Sequence, residues 1–430
     1  MELQDELSSQ NVNFRRKFTE FILIFSMFTT TYVFFRQPFE FYPHYLIFIL
    51  YLPVFFIKYK IPKNITIILF LVLILGLINI YLGNSEWFAL IKVWGGAFLS
   101  FNFYYFVYIY FNKDIIKIFN YYLKFCSFLL LVGLFQVFSF QIGFEPGFDL
   151  RILFGLNKWS LVTQGGVFGI KISSFLTEPA QLAIVTIPIV FISLNNLIFN
   201  ENYFIKNKFL NIILLISYIS ITSATGYIGI LISLIIIAIR NKIYNIFLGL
   251  IPSLFILFVL YNNVSEFKIR VDAALELNKS IENNIRKDIA NTSTFTLYDN
   301  YVVTYKNFLK NPLIGSGIGS HEFAFNEFSL TKKYFNLNVF ANNSKDANSL
   351  FLRIVSETGL LGFIFLLFIV SKGVITLNIL NKVKYIVSIS LLLIIVLSLI
   401  RQGNYFLNGL PLIFILFYYN ENRPIIKESI

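Results

Sequence analysis

Three short stretches of this 430-residue chain carry residue types suited to acid–base or charge-neutralising chemistry. The first is Ser173-Ser174-Phe175-Leu176-Thr177-Glu178-Pro179-Ala180-Gln181, which sets a carboxylate before a proline at the head of an apolar run. Proline suits a first helical turn, where its missing N–H costs nothing, and a carboxylate there meets the positive end of the helix dipole. An ordinary helix start would show the same features. Glu178 goes further because it stands at the boundary of a hydrophobic span, facing a loop that carries Lys171 and Arg151. Ionisable groups at membrane depth are functional candidates by default.

The second stretch is Asn311-Pro312-Leu313-Ile314-Gly315-Ser316-Gly317-Ile318-Gly319-Ser320-His321. Its alternate glycines superficially suggest a dinucleotide loop. That fingerprint needs a strand before it, a helix after it and an acidic residue about 20 positions on, and this context is missing. A backbone turn that bends the loop back over the membrane is expected instead, with N–H groups able to hold an anion. His321 follows in what reads as a wet loop, where an imidazole can act as a base near neutral pH. His44, the other histidine, falls inside an apolar span and reads as a hydrogen-bonded core group.

The third stretch runs from Asp346 through Asn348 and Arg353 to Glu357, Gly359 and Gly362. Asp346 or Asn348 can cap the helix that starts there. Arg353 and Glu357 are four apart and can pair on one face. The two glycines permit close helix contact.

The elements that must position these residues follow from composition. The chain is 57% hydrophobic and only 13% charged, against about 25% charged in soluble domains. So little charge cannot cover several water-facing surfaces, and 52 phenylalanines exclude disorder. The single cysteine, Cys126, rules out an intrachain disulfide or a cysteine metal cluster. No P-loop, H-E-x-x-H, D-x-D or G-x-S-x-G is present, so no metal or cofactor ligand set is visible.

A spanning helix needs about 20 mostly apolar residues. The sequence predicts twelve, at 20–35, 41–57, 65–82, 87–111, 118–140, 179–199, 209–222, 227–239, 243–260, 350–370, 385–400 and 405–419. The first run lacks a small-residue cleavage site, so it reads as a span rather than a signal peptide. Alternate short connections carry Arg15, Arg16 and Lys17, then Lys58, Lys60 and Lys63, then Lys113 and Lys117. The same side continues with Lys206, Lys208, Arg240, Lys242, Lys372, Lys382, Lys384, Arg423 and Lys427. The short connections of the other side hold only Arg36 and Arg401. By the positive-inside rule both termini are cytoplasmic. The net charge of +12 thereby falls on the cytoplasmic side, and no basic patch is left for nucleic acid.

Two long connections, 141–178 and 261–349, lie outside and hold the polar stretches. The organisation is therefore 1–260 with nine spans and the shorter loop, 261–349 as a large outer loop, and 350–430 with three spans. Within the large loop Ile269, Ala273, Leu277, Ile281 and Ile285 predict an amphipathic helix on the outer membrane surface. A polar stretch, 291–294, precedes a second helix at 298–310 with Tyr301, Tyr305 and Phe308 on one face.

The segments K-x-S-S-F-L-T-E-P-A at 171–180, N-P-L-I-G-S-G-I-G at 311–319 and N-S-L-F-L-R-I-V-S-E-T-G-L-L-G at 348–362 resemble the O-antigen polymerase and O-antigen ligase superfamily of bacterial envelope enzymes. Their order and spacing extend the resemblance over most of the chain. It implies an all-α integral membrane glycosyltransferase of the GT-C type, in the inner membrane, with a large helical periplasmic loop. The polymerase branch joins oligosaccharide repeat units carried on undecaprenyl pyrophosphate, and the ligase branch moves a finished glycan to lipid A core. A chain-length regulator is the implied partner. Lys171 stands where the family usually has arginine, which keeps the charge but loses the planar fork. No arginine lies near Tyr298, where one commonly precedes the Asn-Pro turn; Arg270 or Arg286 is the substitute. Asn348, beside Asp346, stands where ligases place histidine, which favours the polymerase branch.

On that resemblance Glu178, His321 and Asp346 are the candidates to deprotonate or orient an acceptor hydroxyl. Arg151, Lys171, Arg270 and Arg286 are the cations for the departing pyrophosphate. A sugar on a lipid pyrophosphate is already activated, so no metal or nucleotide is needed at that step. The alternatives are a ligase, a lipid-linked oligosaccharide flippase and a non-catalytic scaffold. A transporter should show ionisable groups within its helices and repeat symmetry, whereas only Lys92 and Lys124 lie well inside spans.

Overall fold

The computed structural model describes residues 2–37, 39–158, 163–240, 292–331, 343–377 and 381–420, with isolated positions between 258 and 272. The expected span at 243–260, apart from Phe258, lies outside the described residues. So do the five residues of the 269–285 repeat and the candidate cations Arg270 and Arg286.

The described chain is helical, with one two-stranded antiparallel pair, β1 Thr163–Gln164 and β2 Ile170–Lys171. The long helices before the first polar stretch are α1 Glu2–Phe25, α2 Pro43–Lys58, α3 Lys63–Tyr81, α4 Trp87–Tyr110 and α5 Ile115–Gln141. Two short ones follow, α6 Glu145–Phe148 and α7 Leu150–Phe154, and then α8 Pro179–Phe199, α9 Lys208–Ile219 and α10 Ala224–Arg240. The remainder holds α11 Thr292–Lys310, α12 His321–Phe328, α13 Leu350–Gly373, α14 Lys382–Arg401 and α15 Leu410–Tyr419. Five of these, α3, α5, α8, α13 and α14, are long and apolar enough to cross a membrane. Shorter apolar helices include α2, α9 and α10. The fold is that of a helical membrane protein.

α8 is the central post. Its residues from Leu182 to Ser193 are all buried, against α5, α9, α10 and α14. A helix that is hydrophobic all round belongs in such a position. In lipid the apolar effect does not drive helices together, so close packing and internal hydrogen bonds must hold them. Pro188 interrupts the α8 ladder. Nearby carbonyls take partners from neighbouring helices: Tyr122 Oη donates to Val185 O at 2.6 Å, and Tyr218 Oη to Ala183 O at 3.1 Å.

Two boundaries differ from expectation. The first span was expected to reach 35, but α1 ends at Phe25 and a single 3₁₀ turn follows to Phe28. Thr29, Thr30 and Thr31 turn their hydroxyls to Ser26 O, Asn408 Oδ1 and Phe175 O. Such side-chain bonds compete with a helix, and the chain continues as an extended excursion closed by Phe34 N–H to Phe41 O at 2.9 Å. The helix expected at 298–310 begins six residues earlier, at Thr292, through the polar stretch read as a separator.

The two ends of the bundle differ. At one, Lys117 pairs with Glu20 at 2.5 Å, and Glu201 takes Arg240 at 2.8 Å and Lys382 at 3.7 Å. The other gathers residues 29–37, 39–42, 142–158, 163–178, 311–331, 343–349 and 402–409 over the helix tips. It holds all three polar stretches.

Candidate functional site

The second and third stretches form one unit. α13 is broken at Gly359, whose backbone (φ 58, ψ −147) is not helical. A break in a membrane helix frees backbone groups that need partners. The glycine turn supplies them: Ser316 N–H donates to Ser356 O at 3.1 Å and Gly317 N–H to Glu357 O at 2.9 Å. In return Leu360 N–H donates to Pro312 O at 2.9 Å and Leu361 N–H to Leu313 O at 3.1 Å. A Cβ on Gly315 would sit 2.4 Å from the Glu357 carbonyl carbon, and one on Gly359 would sit 2.6 Å from Gly315 N. Both positions also have positive φ, so glycine is required twice over. Of the N–H groups expected to be able to hold an anion, those of Ser316 and Gly317 are committed to carbonyls.

Under this splint lies a closed hydrogen-bond network. His321 is fully buried, not in a wet loop. Its Nδ1 lies 3.0 Å from Ser356 Oγ and its Nε2 2.9 Å from Asn300 Oδ1. Asn307 Nδ2 donates to Ser356 O and Ser316 Oγ, at 2.9 and 2.8 Å. Burial pushes the imidazole down to about 3, and Arg353 adds to the fall. A buried ring with both nitrogens engaged is held as a neutral structural group. Beside it Arg353 and Glu357 pair as expected, Nε to Oε1 at 2.9 Å, both buried. Tyr405 Oη donates to the other Glu357 oxygen at 2.9 Å, and Arg353 Nη1 to Gly403 O at 2.9 Å.

The first stretch leads to a different environment. Glu178 is the N-cap residue of α8, yet its side chain caps nothing. Among the described residues nothing donates a hydrogen bond to its carboxylate. The strongest charges acting on it are Arg401, Asp346 and Lys158. Burial pushes its carboxyl above the usual range, Arg401 pulls it back, Asp346 adds to the rise and Lys158 opposes it. Burial likewise raises Asp346, against Arg353, the Asn348 N–H, Arg401 and Lys158. The two carboxyls therefore share a surrounding of cations. Asp346 was expected, with Asn348, as a cap of α13. Ser349 takes that role, accepting from Leu352 N–H, while Asp346 Oδ1 accepts from Asn348 N–H at 3.1 Å.

The four charges meet because three connections converge. Gly403 lets the chain after α14 lie against residue 346, where a Cβ would come within 1.5 Å of Asp346 O. Lys158 N–H donates to Thr31 O at 3.1 Å, and its ammonium bonds Glu40 and the Tyr42 hydroxyl. At Glu40 burial alone would raise the carboxyl, but Lys158, Tyr42 and Arg36 together hold it below its usual value. Sequence reading missed Lys158, Glu40 and Tyr42, and took Arg401 only as a topology marker.

Two predicted cations stand on α7 and β2. Arg151 is bonded to Asp149 two residues earlier, through Nε at 2.8 Å and Nη2 at 2.5 Å. Lys171 sits in β2 opposite Thr163. Next to Arg401 runs an apolar groove of about 490 Å³. Leu297, Tyr298 and Tyr301 of α11, Phe351 and Leu352 of α13, and Val396, Leu399 and Ile400 of α14 line it. The tyrosine face of α11 points outward: Tyr301 and Tyr305 are exposed, whereas Asp299, Asn300, Thr304 and Asn307 are buried. Among the described residues no three His, Cys, Asp or Glu side chains gather as a metal-ligand set.

Fold and site together define an all-helical membrane protein with a charged, partly unsatisfied site where its connections converge at one end of the bundle. No protein-family model and no curated protein sequence matches the chain.

Proposed function

We propose that this protein is a polymerase joining undecaprenyl-pyrophosphate-linked oligosaccharide repeat units into a surface polysaccharide, on the outer face of a bacterial inner membrane. The twelve-span topology with cytoplasmic termini, and the resemblance at 171–180, 311–319 and 348–362, belong to the same proposal. One observation carries it: Glu178 is a half-buried carboxylate without a hydrogen-bond donor, surrounded by Asp346, Arg401 and Lys158. In the reaction an acceptor hydroxyl oxygen bonds to the anomeric carbon while the carbon–oxygen bond to pyrophosphate breaks. The leaving group takes the electron pair, and Glu178 or Asp346 takes the hydroxyl proton. Single displacement inverts the anomeric carbon. Arg401 and Lys158 neutralise the charge growing on the pyrophosphate, and the apolar groove beside Arg401 accommodates a prenyl chain.

Placement favours this reading over a flippase, since the charged groups cluster at one end of the bundle rather than along its axis. Glu178→Gln should lower polymerisation about 10²–10⁴-fold, as loss of a positioned acid/base group does. Single repeat units should then accumulate while the protein stays in the membrane at normal abundance. Because the Glu178 side chain caps nothing, a merely structural role would leave chain length intact, so wild-type chains from this variant would overturn the assignment. Because burial raises both carboxyls, the rate should fall with acidification at a pH above the ordinary carboxylate range near about 4.

A further inference from the structure

α11 carries its polarity the wrong way round for a helix in water. Asp299, Asn300, Thr304 and Asn307 are buried, while Tyr301, Tyr305 and Leu309 are more than half exposed. A helix on a water-soluble protein shows the opposite pattern, with its apolar stripe inward and its polar side outward. The inward groups of α11 are spent on protein. Asp299 accepts from Ser329 Oγ at 2.6 Å and Leu330 N–H at 2.7 Å, and Thr304 Oγ1 donates to Leu352 O at 3.3 Å. Polar groups bonded inside an apolar exterior are the arrangement that lipid selects.

Two sets of contacts fix the depth of this face. At the end of α11, Asn311 Oδ1 accepts from Asn84 Nδ2 at 3.4 Å, in the turn that joins α3 to α4. α3 is long and apolar enough to span, and Tyr81 and Trp87, both exposed, flank that turn. Such rings gather at the boundary between hydrocarbon and headgroups. Just past α11, Pro312 O and Leu313 O accept from Leu360 and Leu361, the first N–H groups after the break in α13. Leu360, Leu361 and Ile364 are exposed on that long apolar helix. Leu313 and Leu309, exposed as well, continue this surface back onto α11.

We propose that α11 is embedded at the edge of the bilayer, with its tyrosine–leucine stripe against phospholipid of the leaflet at this end of the bundle. Lys306, exposed and about 100° round the helix from Tyr305, marks the flank that meets headgroups and water. Part of the segment that reads as an outer loop then belongs to the membrane. Tyr301 also lines the apolar groove, so the groove borders lipid along α11. The rings of Tyr301 and Tyr305, stacked with centroids 6.4 Å apart, also have the shape to carry a sugar. A sugar platform, however, needs free polar groups at the ring edges. Here the stripe runs on into Leu309 and Leu313, and Lys310 is paired with Glu327 at 2.8 Å.

The test uses the full chain carrying Cys126→Ser in phosphatidylcholine–phosphatidylglycerol liposomes, spin-labelled at one introduced cysteine at a time. The four sites are Tyr305→Cys, Leu309→Cys, Lys306→Cys and, as the α13 reference, Leu361→Cys. Collision with oxygen, which concentrates in hydrocarbon, is compared with collision with a water-soluble nickel chelate. Oxygen should be favoured at Tyr305, Leu309 and Leu361, and the preference should reverse at Lys306, one residue from Tyr305. Nickel favoured at both Tyr305 and Leu309 would put the stripe in water, open to glycan, and overturn the proposal. Weak collision with both reagents there would mean a protein cover and overturn it too. Because a label can disturb packing, the unmodified chain is also irradiated with a lipid-phase diazirine probe. Insertion at Tyr301 and Tyr305 should match that at Ile364, and insertion at background level would overturn the proposal. Neither readout uses activity, so the outcome is independent of any role for Glu178.

Discussion

One end of the molecule holds two polar regions of opposite character. Around His321, Ser356, Asn307 and Glu357 the groups are buried and matched: both imidazole nitrogens, both Glu357 oxygens and the freed backbone groups of broken α13 have partners. Around Glu178 and Asp346 the groups are half-buried and unmatched, with cations near and hydrogen bonds few. A buried polar network that is fully satisfied makes a unique, rigid structure. A carboxylate kept partly dry with no donor costs free energy in folding, and an incoming substrate group can offset that cost. The first region holds the site together, and the second has capacity left for a ligand.

That contrast can be broken most sharply at its two carboxylates. Glu357→Gln should leave Arg353 charged, buried and without its counterion, a loss of about 3–5 kcal/mol for a broken buried pair. The expected outcome is protein missing from the membrane fraction, measured by immunoblot, with polymer lost in proportion. Glu178→Gln should do the reverse, with normal abundance and lost polymer. Normal abundance for Glu357→Gln with no polymer would move Glu357 into the reacting group.

A smaller effect concerns pH. His321 is held neutral, down to about 3 against an ordinary value of 6.5, so below 6.5 the unfolded chain binds a proton that the folded chain does not. Stability is full above that pH and falls as pH drops toward 3, by up to about 1.4 kcal/mol per unit. Thermal inactivation in detergent from pH 7 to 5 should therefore steepen in wild type relative to His321→Asn. Equal slopes in the two proteins would show that the ring is open to water.

Much of the helical frame is legible in the sequence because apolar length reports it directly, and the Arg353–Glu357 pair is legible because four residues make one helical turn. The gathering of Lys158, Glu40 and Arg401 with Glu178 is not, since it depends on three connections meeting over the helix tips. Nor is the burial of His321. A long polar loop reads as wet, but α11 turns Asn300, Thr304 and Asn307 inward and its tyrosines outward, so hydrophobic pattern points to the wrong face. The glycine turn was recognisable as a turn; that its N–H groups serve a helix break rather than an anion depends on Gly359 adopting φ 58.

Arg151 gives the smallest expected effect and the finest test. By sequence it belongs with Glu178, in the loop that leads to α8. In the structure its guanidinium closes on Asp149, the N-cap of α7, and Asp149 is held below the usual carboxylate range by the Arg151 hydrogen bonds, against the opposing effect of burial. The arginine is about one-third exposed, and such pairs contribute about 0–1 kcal/mol. Arg151→Ala should therefore leave abundance and chain length near wild type, whereas Arg401→Gln, which removes a charge acting on both Glu178 and Asp346, should shorten chains at unchanged abundance. Measuring both variants by polymer electrophoresis places the edge of the site. Chain loss from Arg151→Ala at normal abundance would mean that the Asp149 pair opens when substrate binds, extending the unmatched region to α7. Normal chains from Arg401→Gln would confine it to the two carboxylates and Lys158.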